Sequence, residues 1–124
     1  MATGYHEAFE QLSPTTKDLH RALNSLQEEI EAIDWYTQRI DQATDQELKE
    51  ILDHNRLEEV EHAAMLLEWI RRSTPQFDEP LRTYLFTQAP LLQIEEAQTA
   101  APDEGQEATV LAPPEPGDLR IRKP

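Results

Sequence analysis

Residues 44–72 read TDQELKEILDHNRLEEVEHAAMLLEWIRR, and this stretch decides the fold. It contains neither glycine nor proline. One row of side chains recurs at intervals of four and three: Leu48, Leu52, Asn55, Glu59, His62, Leu66 and Trp69. This spacing predicts a long amphipathic α-helix whose apolar stripe is interrupted by polar residues in its middle. Thr44 followed by Glu47 indicates a capping box at its start, and Arg71 and Arg72 suit the negative end of the helix dipole.

The preceding stretch, residues 13–41, predicts a second long helix. Ser13 is the expected N-cap and Pro14 the first helical residue. Its apolar residues again follow a heptad-like spacing: Leu19, Leu23, Leu26, Ile30 and Ile33. Glu29 is a single carboxylate inside the neighbouring apolar row. Because only two or three residues connect the helices, we expect an antiparallel hairpin.

A two-helix hairpin leaves apolar positions of both helices exposed to water. We therefore expect an all-α protein in which two hairpins dimerise into a ferritin-like four-helix bundle. After the hairpin, Asp78-Glu79-Pro80 predicts a short helical segment that runs through Leu85 and on past Pro90 to Ile94.

The chain divides by composition into four parts. Residues 1–12 are expected to be a mobile lead-in and residues 13–98 the ferritin-like helical hairpin domain. Residues 99–124 hold five prolines and two glycines, a composition typical of disorder. Within them, residues 99–116 are interpreted as a disordered linker and residues 117–124 as a terminal docking peptide.

Composition excludes several classes of function. The 25 acidic and 11 basic residues give a net charge of −14, which argues against nucleic acid as a partner and suits cations. The absence of cysteine excludes disulfides, a thiolate zinc site and a thiol nucleophile. Without a leader pattern or an apolar run of membrane-spanning length, a soluble cytoplasmic protein is expected, with no membrane partner.

Glu59 and His62 form an E-x-x-H pair on one helical face. A carboxylate and an imidazole so placed can hold Fe²⁺. Di-iron bundles use two such pairs and one further Glu from each of two other helices. Glu29 supplies that further Glu here, so one chain offers half of a two-iron site. The alternative is that Glu58, Glu59 and Glu61 form a charged face, with His62 as an interface histidine.

Other polar and aromatic residues near this set admit two interpretations each. Tyr36 lies two turns from Glu29 on the same face, where it either hydrogen-bonds a ligand carboxylate or simply packs in the core. Glu28 and Glu31 either attract Fe²⁺ or carry solvated charge. His20 and His54 are interpreted as surface or packing residues, and Trp35 and Trp69 as interface packing.

Several blocks of the chain resemble the encapsulated ferritins, the ferritin-like cargo proteins of bacterial encapsulin nanocompartments. The resemblance covers about residues 13–96 and is carried by residues 27–36 (QEEIEAIDWY), 54–65 (HNRLEEVEHAAM), 67–72 (LEWIRR) and 81–87 (LRTYLFT).

The resemblance implies a ring of five dimers with a ferroxidase centre at each dimer interface. Glu29, Glu59 and His62 of each chain would ligate the two irons. Tyr36 would lie next to these ligands without binding iron itself. Glu28 and Glu31 would form a metal-uptake site with Trp35 beside it. Such a protein oxidises Fe²⁺ to Fe³⁺ with O₂ or peroxide and leaves mineral storage to the shell.

The resemblance also gives the C-terminus a function. Encapsulin cargo carries a terminal peptide with an Asp-Leu-Gly-Ile-Arg-like core, and here Asp118-Leu119-Arg120-Ile121-Arg122 keeps both aliphatic residues but has Arg120 in place of Gly. Leu119 and Ile121 would contact the shell; the alternative is a basic tail without a partner. Two competing functions remain: a non-catalytic acidic helical adaptor, and a di-metal oxidoreductase of another type.

Overall fold

The computed structural model describes residues 4–99, and these residues are helical without any strand. After a 3₁₀ turn at Phe9–Gln11 come four α-helices: α1 Pro14–Gln42, α2 Gln46–Ser73, α3 Pro75–Tyr84 and α4 Leu91–Thr99. The predicted all-α fold is confirmed.

The first helix begins where the sequence predicts. The Ser13 side chain accepts a hydrogen bond from the Thr16 backbone N–H at 3.1 Å, and Pro14 occupies the first helical position. Ser13 therefore satisfies one of the N–H groups that a helix start leaves without a partner, while Pro14 has no N–H to satisfy.

The predicted start of the second helix is wrong by one residue. Asp45, not Thr44, is the N-cap of α2, and its carboxylate accepts a hydrogen bond from the Leu48 N–H at 2.9 Å. A carboxylate at this position also interacts favourably with the positive end of the helix dipole, which a Thr hydroxyl does not.

Replacing Asp45 with Ala should lower the free energy of unfolding by about 1 kcal/mol, the usual cost of losing an N-cap. Thr44→Ala is the matched control and should change stability far less, because Thr44 lies outside the helix. Urea unfolding of both variants at one protein concentration tests this. Equal losses would contradict the assignment of the cap.

The two long helices run antiparallel. Arg56 Nη1 of α2 donates to Thr37 Oγ1 of α1 at 3.5 Å, whereas Leu66 and Trp69, later in α2, lie beside residues 18–25 of α1. Later positions in one helix thus meet earlier positions in the other. The three-residue connection at residues 43–45 has the length typical of antiparallel helix pairs.

The hairpin buries very little. Among residues 4–99 only Ala22 and Ile70 are buried, while many large apolar side chains are exposed. They lie on two opposite sides of the hairpin, as a period of 3.6 residues per turn assigns them. The His62 side carries Ile51, Met65 and Trp69; the Arg56 side carries Leu23, Ile30 and Val60.

The short helix α3 begins three residues before its predicted start at Asp78. Pro75 takes the first helical position and Pro80 lies inside the helix. The helix ends at Tyr84, because Leu85 is extended and Phe86 has a φ of 61°. The single segment predicted to reach Ile94 is therefore two helices, α3 and α4.

Arg71 ties α3 to the end of α2. Its guanidinium hydrogen-bonds Glu68 in α2 and Asp78 in α3. Arg82 adds a bond to Asp78 at 2.8 Å. The hydrogen bonds from Arg71 lower the pKa of both the Glu68 and the Asp78 carboxyl, and Arg82 lowers that of Asp78 further.

We expect the stabilisation supplied by Arg71 to depend on pH. Carboxyls with a lowered pKa stabilise the folded state at neutral pH, and this contribution is lost as the pH falls through and below their ordinary range. Arg71→Met should therefore melt below the wild type at pH 7, and the difference in Tm should shrink on acidification to pH 3. A difference that stays constant with pH would contradict the ion-pair assignment.

The segment before α1 packs on that helix through aromatic rings. Tyr5 stacks on His20 with ring centroids 4.3 Å apart and meets Phe9 edge-on at 5.0 Å. Lys17 Nζ lies 4.2 Å from the centre of the Phe9 ring. His20 is thus a packing residue; the mobility expected of residues 1–12 stays a prediction.

Residues from Gln88 onward form a separate unit. Within it, α4 begins directly after Pro90. The carbonyl of Pro90 accepts hydrogen bonds from the backbone N–H groups of Gln93 and Ile94. The linker was predicted for residues 99–116 and the terminal peptide for residues 117–124. Thr99 is the last residue of α4, and residues 100–124 lie outside the described residues. None of the helices within residues 4–99 combines the length and the hydrophobicity of a membrane span.

Candidate metal centre

The structure brings together the three side chains that the sequence singled out as metal ligands. His62 Nδ1 lies 3.3 Å from Glu59 Oε2 and 3.6 Å from Glu29 Oε2. One ligand atom of each residue lies within 4.8 Å of the other two. Glu59 and His62 are one turn apart on α2, and the antiparallel register places Glu29 of α1 at the same level.

The three groups shift one another's pKa values. A hydrogen bond between the two carboxyl groups, together with partial burial and repulsion, raises the pKa of Glu29, and the same bond lowers the pKa of Glu59. The hydrogen bond to Glu59 and the nearby charge of Glu29 raise the pKa of His62. Metal ligands bind in their deprotonated form, so a cation held between these groups would compete with protons for the carboxylates and the imidazole.

The donor set fits a divalent first-row metal. Carboxylate oxygens and an imidazole nitrogen suit Fe²⁺, and no thiolate competes. Metal–ligand bonds of about 2.1 Å allow ligand atoms to lie up to about 4.2 Å apart across the ion, so small side-chain rotations would close the site. Three ligands leave the coordination of even one ion incomplete.

The cluster opens outward on the His62 side. The side chains are 23% exposed for Glu29, 25% for Glu59 and 46% for His62. Among residues 4–99 no fourth acidic or histidine side chain joins the cluster.

The residues predicted to form a metal-uptake site do not join this cluster within one chain. Glu28 is exposed and lies 3.4 Å from the Asn24 amide nitrogen, while Glu31 is half-buried. Trp35 is exposed beside them. No other group of three acidic or histidine side chains with ligand geometry occurs within residues 4–99.

Tyr36 is half-buried on the Glu29 face of α1, and the Arg39 guanidinium lies over its ring at 5.5 Å. Sequence reasoning missed this contact, although the spacing of three residues on a helix was a usable signal. His54 pairs with Glu58 at 3.0 Å on the surface. His54 therefore stands apart from the cluster, as the sequence predicted.

Comparison with known proteins agrees with this architecture. A family model described as EncFtn-like matches residues 4–88. A ferritin-like protein of Thermotoga maritima is 52% identical over 123 residues, covering 99% of each chain. An encapsulated ferritin-like protein of Rhodospirillum rubrum is 54% identical over 103 residues, covering 83% of this chain and 74% of its own length.

A solved structure shares the fold. The crystal structure of a Nitrosomonas europaea protein superposes with a TM-score of 0.69 at 59% sequence identity. The match covers 71% of this chain and 97% of the other.

Proposed function

The chain belongs to the EncFtn-like family of encapsulated ferritin-like proteins, and from this premise we propose that it is a ferroxidase. It oxidises Fe²⁺ to Fe³⁺ at a two-iron centre built across a two-fold dimer interface. The observation that carries the proposal is the convergence of Glu29, Glu59 and His62 ligand atoms within 4.8 Å on an outward-facing side of the hairpin.

A second copy supplies the missing ligands. Two chains together bring four carboxylates and two imidazoles, the ligand set of carboxylate-bridged di-iron bundles. Four ionised carboxylates also balance the charge of two Fe²⁺ ions. Without metal the same four carboxylates would repel one another at close range, which is unfavourable in a poorly solvated interface.

The packing of the chain supports self-association. With two buried residues among residues 4–99, the hairpin alone has almost no core. The exposed side chains of Ile51, Met65 and Trp69 share the side of the hairpin that carries His62. Burying an exposed Leu, Ile or Met side chain contributes about 1.5–3 kcal/mol. We propose the dimer as the working unit and, following the family, a ring of five dimers as its assembly.

Each iron is a substrate that loses one electron. Two Fe²⁺ give two electrons, which O₂ takes up with two protons to form hydrogen peroxide; with peroxide as acceptor, the same electrons and two protons yield two waters. Carboxylates stabilise Fe³⁺ more than Fe²⁺, because the Coulomb attraction grows with the charge of the cation. Glu29 and Glu59 thereby favour oxidation as well as binding.

Neighbouring residues take supporting functions in this proposal. Glu28 and Glu31 attract Fe²⁺ to the surface, with Trp35 beside them, and Tyr36 holds a ligand carboxylate in position. The net charge of −14 draws cations toward the protein as a whole.

The test is aerobic addition of Fe²⁺ to the wild type, with ferric absorbance and native mass recorded together. We expect oxidation faster than in buffer and a mass that is a multiple of the dimer. If iron is oxidised no faster with the protein than in buffer alone, the proposal that the protein is a ferroxidase is refuted. A metal-indifferent dimer with no activity would instead favour the acidic helical adaptor, and oxidation of an organic substrate would favour another di-metal oxidoreductase.

We further propose that the protein works inside an encapsulin shell, as the name of its Rhodospirillum rubrum relative implies for that protein. Leu119 and Ile121 of the terminal peptide would contact the shell, and the shell would store the ferric mineral. The protein would then be cytoplasmic, enclosed in the nanocompartment.

Deleting residues 113–124 should abolish capture by a co-expressed encapsulin shell, because the deletion removes both aliphatic contacts. Co-purification on a size column measures capture, and aerobic iron oxidation by the truncated protein serves as the control for folding. Unchanged capture would exclude the terminal peptide as the docking element.

A further inference from the structure

Arg39 differs from the other arginines of residues 4–99 in what its guanidinium contacts. Each of the others pairs with a carboxylate: Arg21, Arg56, Arg71, Arg72 and Arg82. Arg39 pairs with none in this part of the chain, although the protein is strongly acidic. Its guanidinium lies over the Tyr36 ring instead, 5.5 Å from the ring centre. A cation–π contact is therefore the interaction that this side chain makes.

The local sequence explains why Arg39 meets a ring and not a carboxylate. Its helical neighbours three or four positions away within α1 are Trp35, Tyr36 and Gln42, and none of them is acidic. Long side chains on an α-helix lean toward its N-terminus, so Arg39 reaches back over the preceding turn. Tyr36 lies on that turn, and the exposed guanidinium covers one face of its half-buried ring.

Tyr36 leans in the same direction, toward the metal cluster. Glu29 precedes it by seven residues, about 10.5 Å along α1 and within about 20° of the same line on the helix surface. The Tyr36 side chain therefore extends over the turn that separates it from Glu29. Arg39, Tyr36 and Glu29 thus follow one another along α1, each of the first two directed at the next.

We infer that Arg39 is a positioning residue for Tyr36. By lying on one face of the ring, the guanidinium restrains the phenol in the orientation from which its O–H donates to a ligand carboxylate. A donor restrained in its bound orientation loses less conformational entropy when it forms the hydrogen bond. The inference rests on the proposed function, in which Tyr36 holds a ligand carboxylate in position, and Arg39 itself touches neither ligand nor metal.

Two simpler functions of Arg39 predict different results. Arg39 lies in the last turn of α1, where a cation stabilises the negative end of the helix dipole. If that were its whole function, its loss would lower stability and leave metal affinity unchanged. A purely electrostatic effect on the cluster has the opposite sign, because removing a cation makes the surroundings more negative and strengthens cation binding. Only positioning predicts weaker binding.

The test is the affinity of the full-length protein for Co²⁺ without oxygen, followed by the visible absorbance of the bound ion. Co²⁺ takes the same carboxylate and imidazole ligands as Fe²⁺ and requires no oxidation step. We expect Arg39→Met to weaken binding about 2- to 5-fold, the worth of an exposed cation–π contact. Arg39→Lys retains a cation and should recover most of the loss. Arg72→Met, at a side chain that is 73% exposed, is the matched control and should not weaken binding.

A double-mutant cycle tests whether Arg39 acts through Tyr36. Tyr36→Phe should weaken Co²⁺ binding about 10- to 100-fold, as the loss of a group that supports a metal ligand does. Adding Arg39→Met to Tyr36→Phe should then weaken it no further, because no phenol remains to be positioned. An equal loss in both backgrounds, tighter binding by Arg39→Met, or an equal loss in Arg72→Met would overturn the inference. So would Tyr36→Phe with unchanged affinity. Arg39→Gln replaces Arg39→Met if circular dichroism shows that the latter does not fold.

Iron oxidation by the wild type is measured independently. An inactive wild type with the expected pattern of Co²⁺ affinities would refute the ferroxidase and leave the function of Arg39. An active wild type in which Arg39→Met binds Co²⁺ normally would refute the function of Arg39 and leave the ferroxidase.

Discussion

Glu29→Ala is expected to abolish rapid iron oxidation. The variant removes one of the three ligands from each chain, so the proposed dimer loses two of its six ligands and two of its four carboxylates. Changes to residues that merely support metal ligands cost about 10–100-fold in affinity or activity, so the loss of a ligand should exceed about 100-fold. Initial rates of ferric absorbance at equal protomer concentration measure this.

The matched control is Glu50→Gln, which removes one negative charge per chain from an exposed position on the outer face of α2. Its oxidation rate should stay near that of the wild type. If Glu29→Ala oxidises iron as fast as Glu50→Gln, the cluster is not the catalytic site. If both lose activity together, the general acidity of the protein rather than a defined centre accounts for the reaction.

Ile70→Ala should cause the largest loss of stability of any single truncation in the hairpin. Ile70 lies near the end of α2 and its side chain is fully buried, at 0% exposure. Its backbone carbonyl accepts a hydrogen bond from the N–H of Thr74, the residue between α2 and α3. Truncation of a buried Ile to Ala costs about 2–5 kcal/mol, because transfer free energy is lost and a cavity remains. Denaturant unfolding followed by circular dichroism measures the change.

Ile30→Ala provides the comparison, since the same atoms are removed from a side chain that is 54% exposed. Its cost in the isolated chain should be clearly smaller. Both variants must be compared at one protomer concentration, because dissociation of an oligomer adds to the measured free energy. Equal losses for the two variants would mean that assembly buries Ile30 as completely as the chain buries Ile70.

The sequence predicted well those features that depend on local spacing. Ser13 and Pro14 start α1 where their backbone chemistry dictates, and the three- and four-residue intervals predicted both long helices. Predictions failed where two local signals competed. Thr44 and Asp45 are both good N-cap residues. Which of them caps the helix depends on where the backbone first becomes helical, and here that is Gln46, directly after Asp45. Proline occurs both at the start of helices and, less often, inside them. The sequence near Pro80 therefore suggested that α3 starts at Asp78, whereas it starts at Pro75 and contains Pro80.

The candidate ligands were predictable for the same reason, up to a point. Three-residue spacing placed Glu59 and His62 on one face, and an apolar neighbourhood marked Glu29 as unusual. By contrast, the contact of Arg71 with Asp78 depends on the angle at which α3 leaves α2. Local periodicity does not contain that angle.

By itself, the sequence determined the two long helices, the cap at Ser13 and the ligand types, because these follow from hydrogen bonds and side-chain periodicity within a few residues. Only the tertiary structure decided that Glu29 meets Glu59 and His62 across the hairpin, with one ligand atom of each within 4.8 Å of the other two. This meeting depends on the register between two helices. That register is set by the packing of whole helical faces, which no short stretch of sequence specifies.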